Sequence, residues 1–395
     1  MKAGKIATDD LYKIGIVIFL LGPFSLFLSK YLYFGKSSGQ LFISGIGIFA
    51  YIILWLLDCG GLKIRLSYSD VTYMFLLIVF FRKNALLNST ISNHYVFYFV
   101  SMFFISYVLK FRTAWFESIP NFLRYASLVV VFSTIVLGTP EGLYSHYSAN
   151  GYMISTAIVV YFASLITHKD NKFDLFMFCL SIVALIITTK RGPLLAVLAA
   201  VFVIYMCYNS NKKMQRWAKI VICSFLLIPI IGVLSNYVPQ IQQLIARFTI
   251  SGDTNTFLSG REVIYLKAWE LFLENPILGT GWYTFPELTS GLLAVDIDAH
   301  NIFLQLLCET GIVGFSIFMI WFIVNLYKTI RLLCDSRRGK RDYTRYEYAL
   351  CFSVGFQVFF LVYGLSGSPL YVNQLMIIYM VSGMIPNTIS FLRTD

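Results

Sequence analysis

Apolar residues in this chain run in long unbroken blocks separated by short polar segments, and they do not alternate with polar ones inside the blocks. A helix needs about 20 apolar residues to cross roughly 30 Å of hydrocarbon. Continuous blocks predict helices of that kind, whereas the strands of a membrane barrel would alternate. The pattern predicts spans near 14–29, 41–57, 68–81, 94–109, 121–138, 151–167, 173–189, 192–209, 218–235, 302–327, 347–364 and 370–387. The expected fold is all-α, a polytopic transmembrane bundle of about 12 spans. Residues 1–235 would form its first part (about nine spans), 236–300 one long extracytoplasmic loop, and 301–395 its last part (about three spans).

The long loop is polar but patterned. In 261–275, Val263, Leu266, Trp269, Phe272 and Leu273 recur at helical spacing and predict an amphipathic helix that Pro276 ends. Gly279, Gly281 and Pro286 mark a tight loop. A second helix restarts at His300-Asn301, is apolar through Leu307, and meets Gly311 and Gly314 where the chain turns into the next span. The loop reads as a helical cap over the bundle.

Composition sharpens this picture. With 58% hydrophobic and 13% charged residues, the chain cannot cover its own surface in water. Its net charge of +11 would suggest nucleic acid in a soluble protein. Here the basic residues hold topology instead, so nucleic acid is not an expected partner. The cluster Lys328, Arg331, Arg337, Arg338, Lys340, Arg341 and Arg345 places 328–346 in the cytoplasm with the N-terminus, and 236–300 outside. The first apolar block lacks a small-residue cleavage site and reads as an uncleaved span. The seven cysteines show no C-x-x-C spacing, and no metal is expected. P-loop, dinucleotide, zinc-protease and nucleophile-elbow motifs do not occur, so no cofactor is implied.

A few polar residues resist a purely topological account. Lys190 and Arg191 sit in the turn Thr188-Thr189-Lys190-Arg191-Gly192-Pro193, at the outer membrane boundary. For Lys190 a snorkelling anchor is the simpler reading; for Arg191 anchor and functional group stay open. His300 follows Asp296-Ile297-Asp298-Ala299 at the start of a helix. A helix N-terminus favours neutral imidazole, which can act as a base, and a capping role is the rival.

The stretch from His300-Asn301 to Gly311 and Gly314 resembles the signature of the O-antigen ligase and O-antigen polymerase superfamily: a His, then Asn, Ser or Gln, nine residues, Gly, two residues, then Gly, Thr or Tyr. Gly260-Arg261, Ala268-Trp269, Asn275-Pro276 and Gly279-Thr280-Gly281 resemble the family's outer-loop pattern, and Arg191 to Leu195 its Arg-x-x-x-Leu span start. The resemblance implies a GT-C-like membrane glycosyltransferase that takes its glycan from a polyprenyl diphosphate and faces the periplasm from the bacterial cytoplasmic (inner) membrane. Arg191 and Arg261 carry over as the residues that grip the diphosphate, with Lys190 beside them, and His300 as the base that deprotonates the acceptor hydroxyl, with Asn301 next to it. Trp282 and Tyr283 are expected near the glycan, with packing as the rival reading. Within the superfamily a polymerase is favoured over a ligase that transfers to lipid A core. A lipid-linked sugar transporter or flippase is the rival from another class. Expected partners are the lipid-linked oligosaccharide donor, a glycan acceptor and membrane lipid, and the class also admits a chain-length regulator or other envelope-assembly proteins.

Overall fold

The computed structural model describes residues 11–22 except 12, 37–58, 68–80, 97–101 except 99, 118–144, 147–168, 171–208, 236–248, 261–293, 298–340, 342–372, and positions 385, 386 and 389. Every regular element among them is helical: α1 (Lys13–Gly22), α2 (Ser37–Asp58), α3 (Tyr68–Phe80), α4 (Ser118–Leu137), α5 (Tyr147–Thr167), α6 (Lys172–Ile187), α7 (Arg191–Tyr208), α8 (Pro239–Phe248), α9 (Glu262–Glu274), α10 (Phe285–Leu293), α11 (Ile302–Arg337) and α12 (Glu347–Tyr363).

Among the described residues, five helices are long and apolar enough to cross a membrane: Ser118–Leu137, Ser148–Thr167, Arg191–Tyr208, Ile302–Arg337 and Thr344–Tyr363. They fall on the predicted spans 121–138, 151–167, 192–209, 302–327 and 347–364. The predictions 41–57, 68–81 and 173–189 correspond to α2, α3 and α6, and 14–29 is helical through Gly22. The predicted spans 94–109, 218–235 and 370–387 lie outside the described residues over all or most of their length. In the loop, the predicted helix 261–275 is α9. Helices α8 and α10 are additions. Pro239 and Pro286, the latter read as a loop mark, each stand in a first helical turn, where proline has no donor to lose.

The chain divides into two compact units. The first comprises 1–122, 263–327 and 364–395. In it, α1 and α2 touch backbone to backbone: a Cβ on Gly47 would stand 2.3 Å from the Phe19 nitrogen, and Ser44 Oγ donates to the Phe19 carbonyl at 2.9 Å. Close approach over small residues is how helices associate where lipid gives no hydrophobic drive. Helix α3 packs on α11 through Tyr73 against Trp321 and Phe80 against Phe318, with ring centroids 5.8 and 6.2 Å apart.

The second unit comprises 123–262 and 328–363. Helix α12 is mostly apolar and nearly all of it is buried, as expected of a central helix. Gly355 lets α5 and α7 close on it; a Cβ there would lie 2.6 Å from Ile204 Cδ1 and 2.7 Å from Val159 Cγ1. Two charged groups join helix ends. Asp174 is fully buried and pairs with Arg124, and it accepts from Ser164 Oγ at 2.6 Å and Asn171 Nδ2 at 2.7 Å. Arg337 donates to Glu347 Oε2 and to the Tyr208 carbonyl, both at 3.1 Å, and lies 3.9 Å above the Tyr208 ring. The latter contact caps the last carbonyl of α7 with a cation, which suits the negative helix end.

Candidate functional site

Helix α11 is broken at Gly311, whose φ of 64° and ψ of −175° no helix contains. A break leaves free carbonyls on the first half and free N–H groups on the second. The segment 276–281 satisfies both. Thr280 and Gly281 N–H donate to the carbonyls of Cys308 and Glu309 at 3.0 and 2.8 Å, and Ile312 and Val313 N–H donate to the carbonyls of Pro276 and Ile277 at 2.9 and 3.2 Å. The two backbones meet with no room for a side chain. A Cβ on Gly311 would be 2.3 Å from the Ile277 oxygen, and one on Gly279 would be 2.3 Å from the Glu309 carbonyl carbon. The Asn275–Gly281 segment and the Gly311 break therefore fit one another.

The first half of α11 starts at Ile302. Asn301 is its cap: the side-chain oxygen accepts from the N–H of Phe303 at 3.1 Å and of Leu304 at 3.3 Å. His300 therefore precedes the cap and does not open the helix itself. Its φ is +50°, a conformation that costs a side-chain-bearing residue about 1 kcal/mol or more.

Two polar residues one turn apart organise this half-helix from its buried face. Glu309 is fully buried. Its carboxylate accepts from the N–H of Tyr283 at 2.8 Å and of Phe285 at 3.2 Å, from Gln305 Nε2 at 3.2 Å, and from the Tyr371 hydroxyl. Gln305, also fully buried, accepts from Ala299 N–H at 3.1 Å and Ser368 Oγ at 3.2 Å, and donates to Asp298 Oδ1 at 3.5 Å. Burial pushes the Asp298 carboxyl up to about 6, and the Gln305 bond opposes that shift. Trp282 and Tyr283 lie on the same network. Trp282 is 3% exposed, stacked on Phe80 with centroids 4.5 Å apart and set 4.9 Å from the Tyr371 ring. That enclosure is the packing role. Tyr283 is partly exposed, has φ of +59° and lies 5.4 Å from Tyr371.

The predicted residues divide between the two units. His300, Asn301, Trp282 and Tyr283 belong to the first, and Lys190, Arg191 and Arg261 to the second. Arg191 is the first residue of α7, and Arg261 immediately precedes α9. Both guanidinium-bearing residues thus stand at helix N-termini, where backbone N–H groups and the helix dipole add to their attraction for anions. The turn before Arg191 is tight: Thr188 Oγ1 donates to the Leu185 carbonyl at 2.7 Å, and Thr189 N–H to that of Ile186 at 3.0 Å. Thr189 has φ of +51°, unusual for a β-branched residue. Gly151 of α5 faces this turn, and a Cβ there would be 3.8 Å from Pro193 and 3.9 Å from the Lys190 side chain.

Residues 176–319 match the family model for O-antigen ligase. That segment is similar to an O-antigen ligase domain. The match supports the O-antigen ligase and polymerase superfamily, whose members are glycosyltransferase-like enzymes with lipid-linked glycan substrates in the membrane. A search of curated proteins found no match. The matched segment spans the break at Gly311 and the turn before Arg191, and it encloses all seven predicted residues, together with Gln305 and Glu309. Neither Gln305 nor Glu309 was among the residues the sequence singled out as the site. The available signal was two polar residues four apart on an otherwise apolar helix bound for the membrane.

Proposed function

We propose that this protein is a polysaccharide polymerase of the cytoplasmic (inner) membrane. It transfers a glycan from polyprenyl diphosphate to a sugar hydroxyl of a lipid-linked repeat unit, on the face away from the cytoplasm. One observation carries the reading. Among the described residues, the side-chain-bearing residues with positive φ are Thr189, Tyr283 and His300. All three lie inside the matched segment, and each is in or beside a stretch that carries a predicted site residue. Backbone strain of this kind persists where surrounding structure enforces it, and it gathers at working sites.

The chemistry follows from the reaction. Breaking the bond between sugar and diphosphate throws charge onto the diphosphate. Arg191 and Arg261 bind it, because guanidinium stays ionised and grips phosphate oxygens in pairs. A sugar hydroxyl is a poor nucleophile until it loses its proton, and His300 accepts that proton. The hydroxyl oxygen bonds to the anomeric carbon as the diphosphate leaves from the opposite side, so the configuration inverts. The polyprenyl chain stays in lipid.

The modest size of the outer loop favours the polymerase. The test is incubation of the purified protein with a lipid-linked repeat unit, with the products sized on a gel. A ladder of chain lengths on the lipid carrier is expected. Transfer only when lipid A core is supplied would make the enzyme a ligase. Passage of the lipid-linked sugar across liposomes with no new glycosidic bond would make it a transporter.

A further inference from the structure

The amide of Gln305 is saturated. Its oxygen takes one hydrogen from the Ala299 N–H and one from Ser368 Oγ, and its nitrogen gives one to Asp298 and one to Glu309. The orientation of the amide is fixed by its partners, since a backbone N–H can only donate and a carboxylate accepts. Three of the four bonds come from outside its own helix. Ser368 is 63 residues away along the chain, and Asp298 and Ala299 are the two residues before His300. The other flank of His300 is held as well. Asn301 caps α11, and the Ile302 N–H is shared between the carbonyls of Gly364 at 2.9 Å and Gly367 at 3.1 Å. His300 is therefore clamped on both sides in a backbone conformation it would leave if released.

We infer that Gln305 is a positioning residue for His300, its amide holding the Asp298–Ala299 segment so that the imidazole is presented from a left-handed backbone. The inference rests on His300 being the proton acceptor proposed above. Glu309 orients the same amide from below, and Ser368 supports its oxygen. The expected signature is loss of turnover without loss of donor binding, because the diphosphate is gripped elsewhere.

The experiment uses the purified full-length protein with a lipid-linked repeat unit. Turnover and donor affinity are measured for Gln305→Met, Ser368→Ala and His300→Ala. Gln305→Met keeps the length and removes all four bonds, so kcat should fall about 10- to 100-fold, as a base displaced by about 1 Å would require. Donor affinity should stay within about twofold. Ser368→Ala removes one bond and should lower kcat about two- to tenfold, again with donor affinity retained. It decides the matter if Gln305→Met does not fold. Parental kcat in both variants, or equal losses of donor affinity and turnover, would overturn the positioning role. His300→Ala separates the two readings. Near-parental turnover there removes the proton acceptor itself and the inference with it, whereas a strong loss there with a parental Gln305→Met removes the inference alone.

Discussion

Gly279 and Gly311 exclude side chains from the same place: a Cβ on Gly279 would stand 2.5 Å from the Gly311 nitrogen. Both have positive φ, 68° and 64°. The close approach lets the 276–281 backbone fill the gap in α11. That gap lets the membrane-bound half-helix begin afresh at Ile312, while the first half, with Asn301, Gln305 and Glu309, points its N-terminus at the His300 segment.

Gly279→Ala and Gly311→Ala should therefore each destabilise the protein by more than strain alone. Alanine at positive φ costs about 1 kcal/mol, and the clash with fixed backbone should add about 1–3 kcal/mol. Gly339, with φ of 66° and nothing within 4 Å of its would-be Cβ, is the control. Gly339→Ala should show the strain cost only. Thermal unfolding of the three variants in one detergent compares them. Equal shifts would mean that the 276–281 segment gives way easily.

Part of this was legible in the sequence. Helix α9 followed from spacing, and so did the restart near His300 and the turn at Gly311, because local periodicity and glycine report local structure. The buried face of α9, however, is Ile264, Ala268 and Leu271, and Val263, Leu266, Trp269 and Leu273 of the predicted stripe are exposed. Pro286 misled, since proline ends a helix but also starts one, and spacing alone does not separate the two. The Gln305–Ser368 and Glu309–Tyr371 bonds join residues 63 and 62 apart. Such pairs are products of tertiary packing, and no local pattern announces them. Arg191, Arg261 and His300 are proposed from motif order, whereas the network around His300 needed the fold.

The placement of 236–300 outside rests on the distribution of Lys and Arg. Glu274, exposed at the end of α9, and Lys340, exposed after α11, test it. In intact cells a membrane-impermeant maleimide should label Glu274→Cys above the parent's background and leave Lys340→Cys at background until the membrane is opened. The reverse pattern would turn the protein over and put the proposed site in the cytoplasm.

Asp174 is fully buried and Arg124 is its counter-charge. Removing one member of such a pair strands the other, at a cost of about 3–5 kcal/mol. Arg124→Met should thus be strongly destabilising. Adding Asp174→Asn to it should recover much of the loss, since the stranded charge is gone and Ser164 and Asn171 still have a polar partner. Thermal unfolding of the two variants measures the recovery. A double variant no better than Arg124→Met would show that the pair is needed as an ion pair.

Asp298 gives a pH dependence with a defined sign. Its carboxyl is raised from 3.8 to about 6 by burial, so the folded protein holds this proton more tightly than the unfolded chain does. Its contribution to stability is present below 3.8 and is lost as pH rises toward about 6. Asp298→Asn keeps an acceptor for Gln305 and cannot ionise. Across that window the parent's melting temperature should fall relative to that of Asp298→Asn, and the variant should be the more stable at neutral pH. Parallel curves would show that Asp298 titrates as it would in water.

The proposed roles of Arg191, Arg261 and His300 should fail in different ways. The arginines bind charge, so Arg191→Lys and Arg261→Lys keep a positive group at the helix N-terminus but lose the two-pronged grip on phosphate. Each should lose most activity and weaken donor binding, and alanine should be worse than lysine at both positions. His300 moves a proton, and losing a general base typically costs about 100- to 10,000-fold in rate. His300→Ala should show a loss of that size with donor binding largely intact. It should also fold at least as well as the parent's strain allows, because alanine at φ of +50° meets the same backbone penalty as histidine. Turnover and donor affinity, measured on variants that purify like the parent, separate the two patterns. If His300→Ala turns over at a near-normal rate, the proton must pass to another group. Glu309 is fully engaged by four donors, so Asp298, two residues from His300, becomes the first candidate.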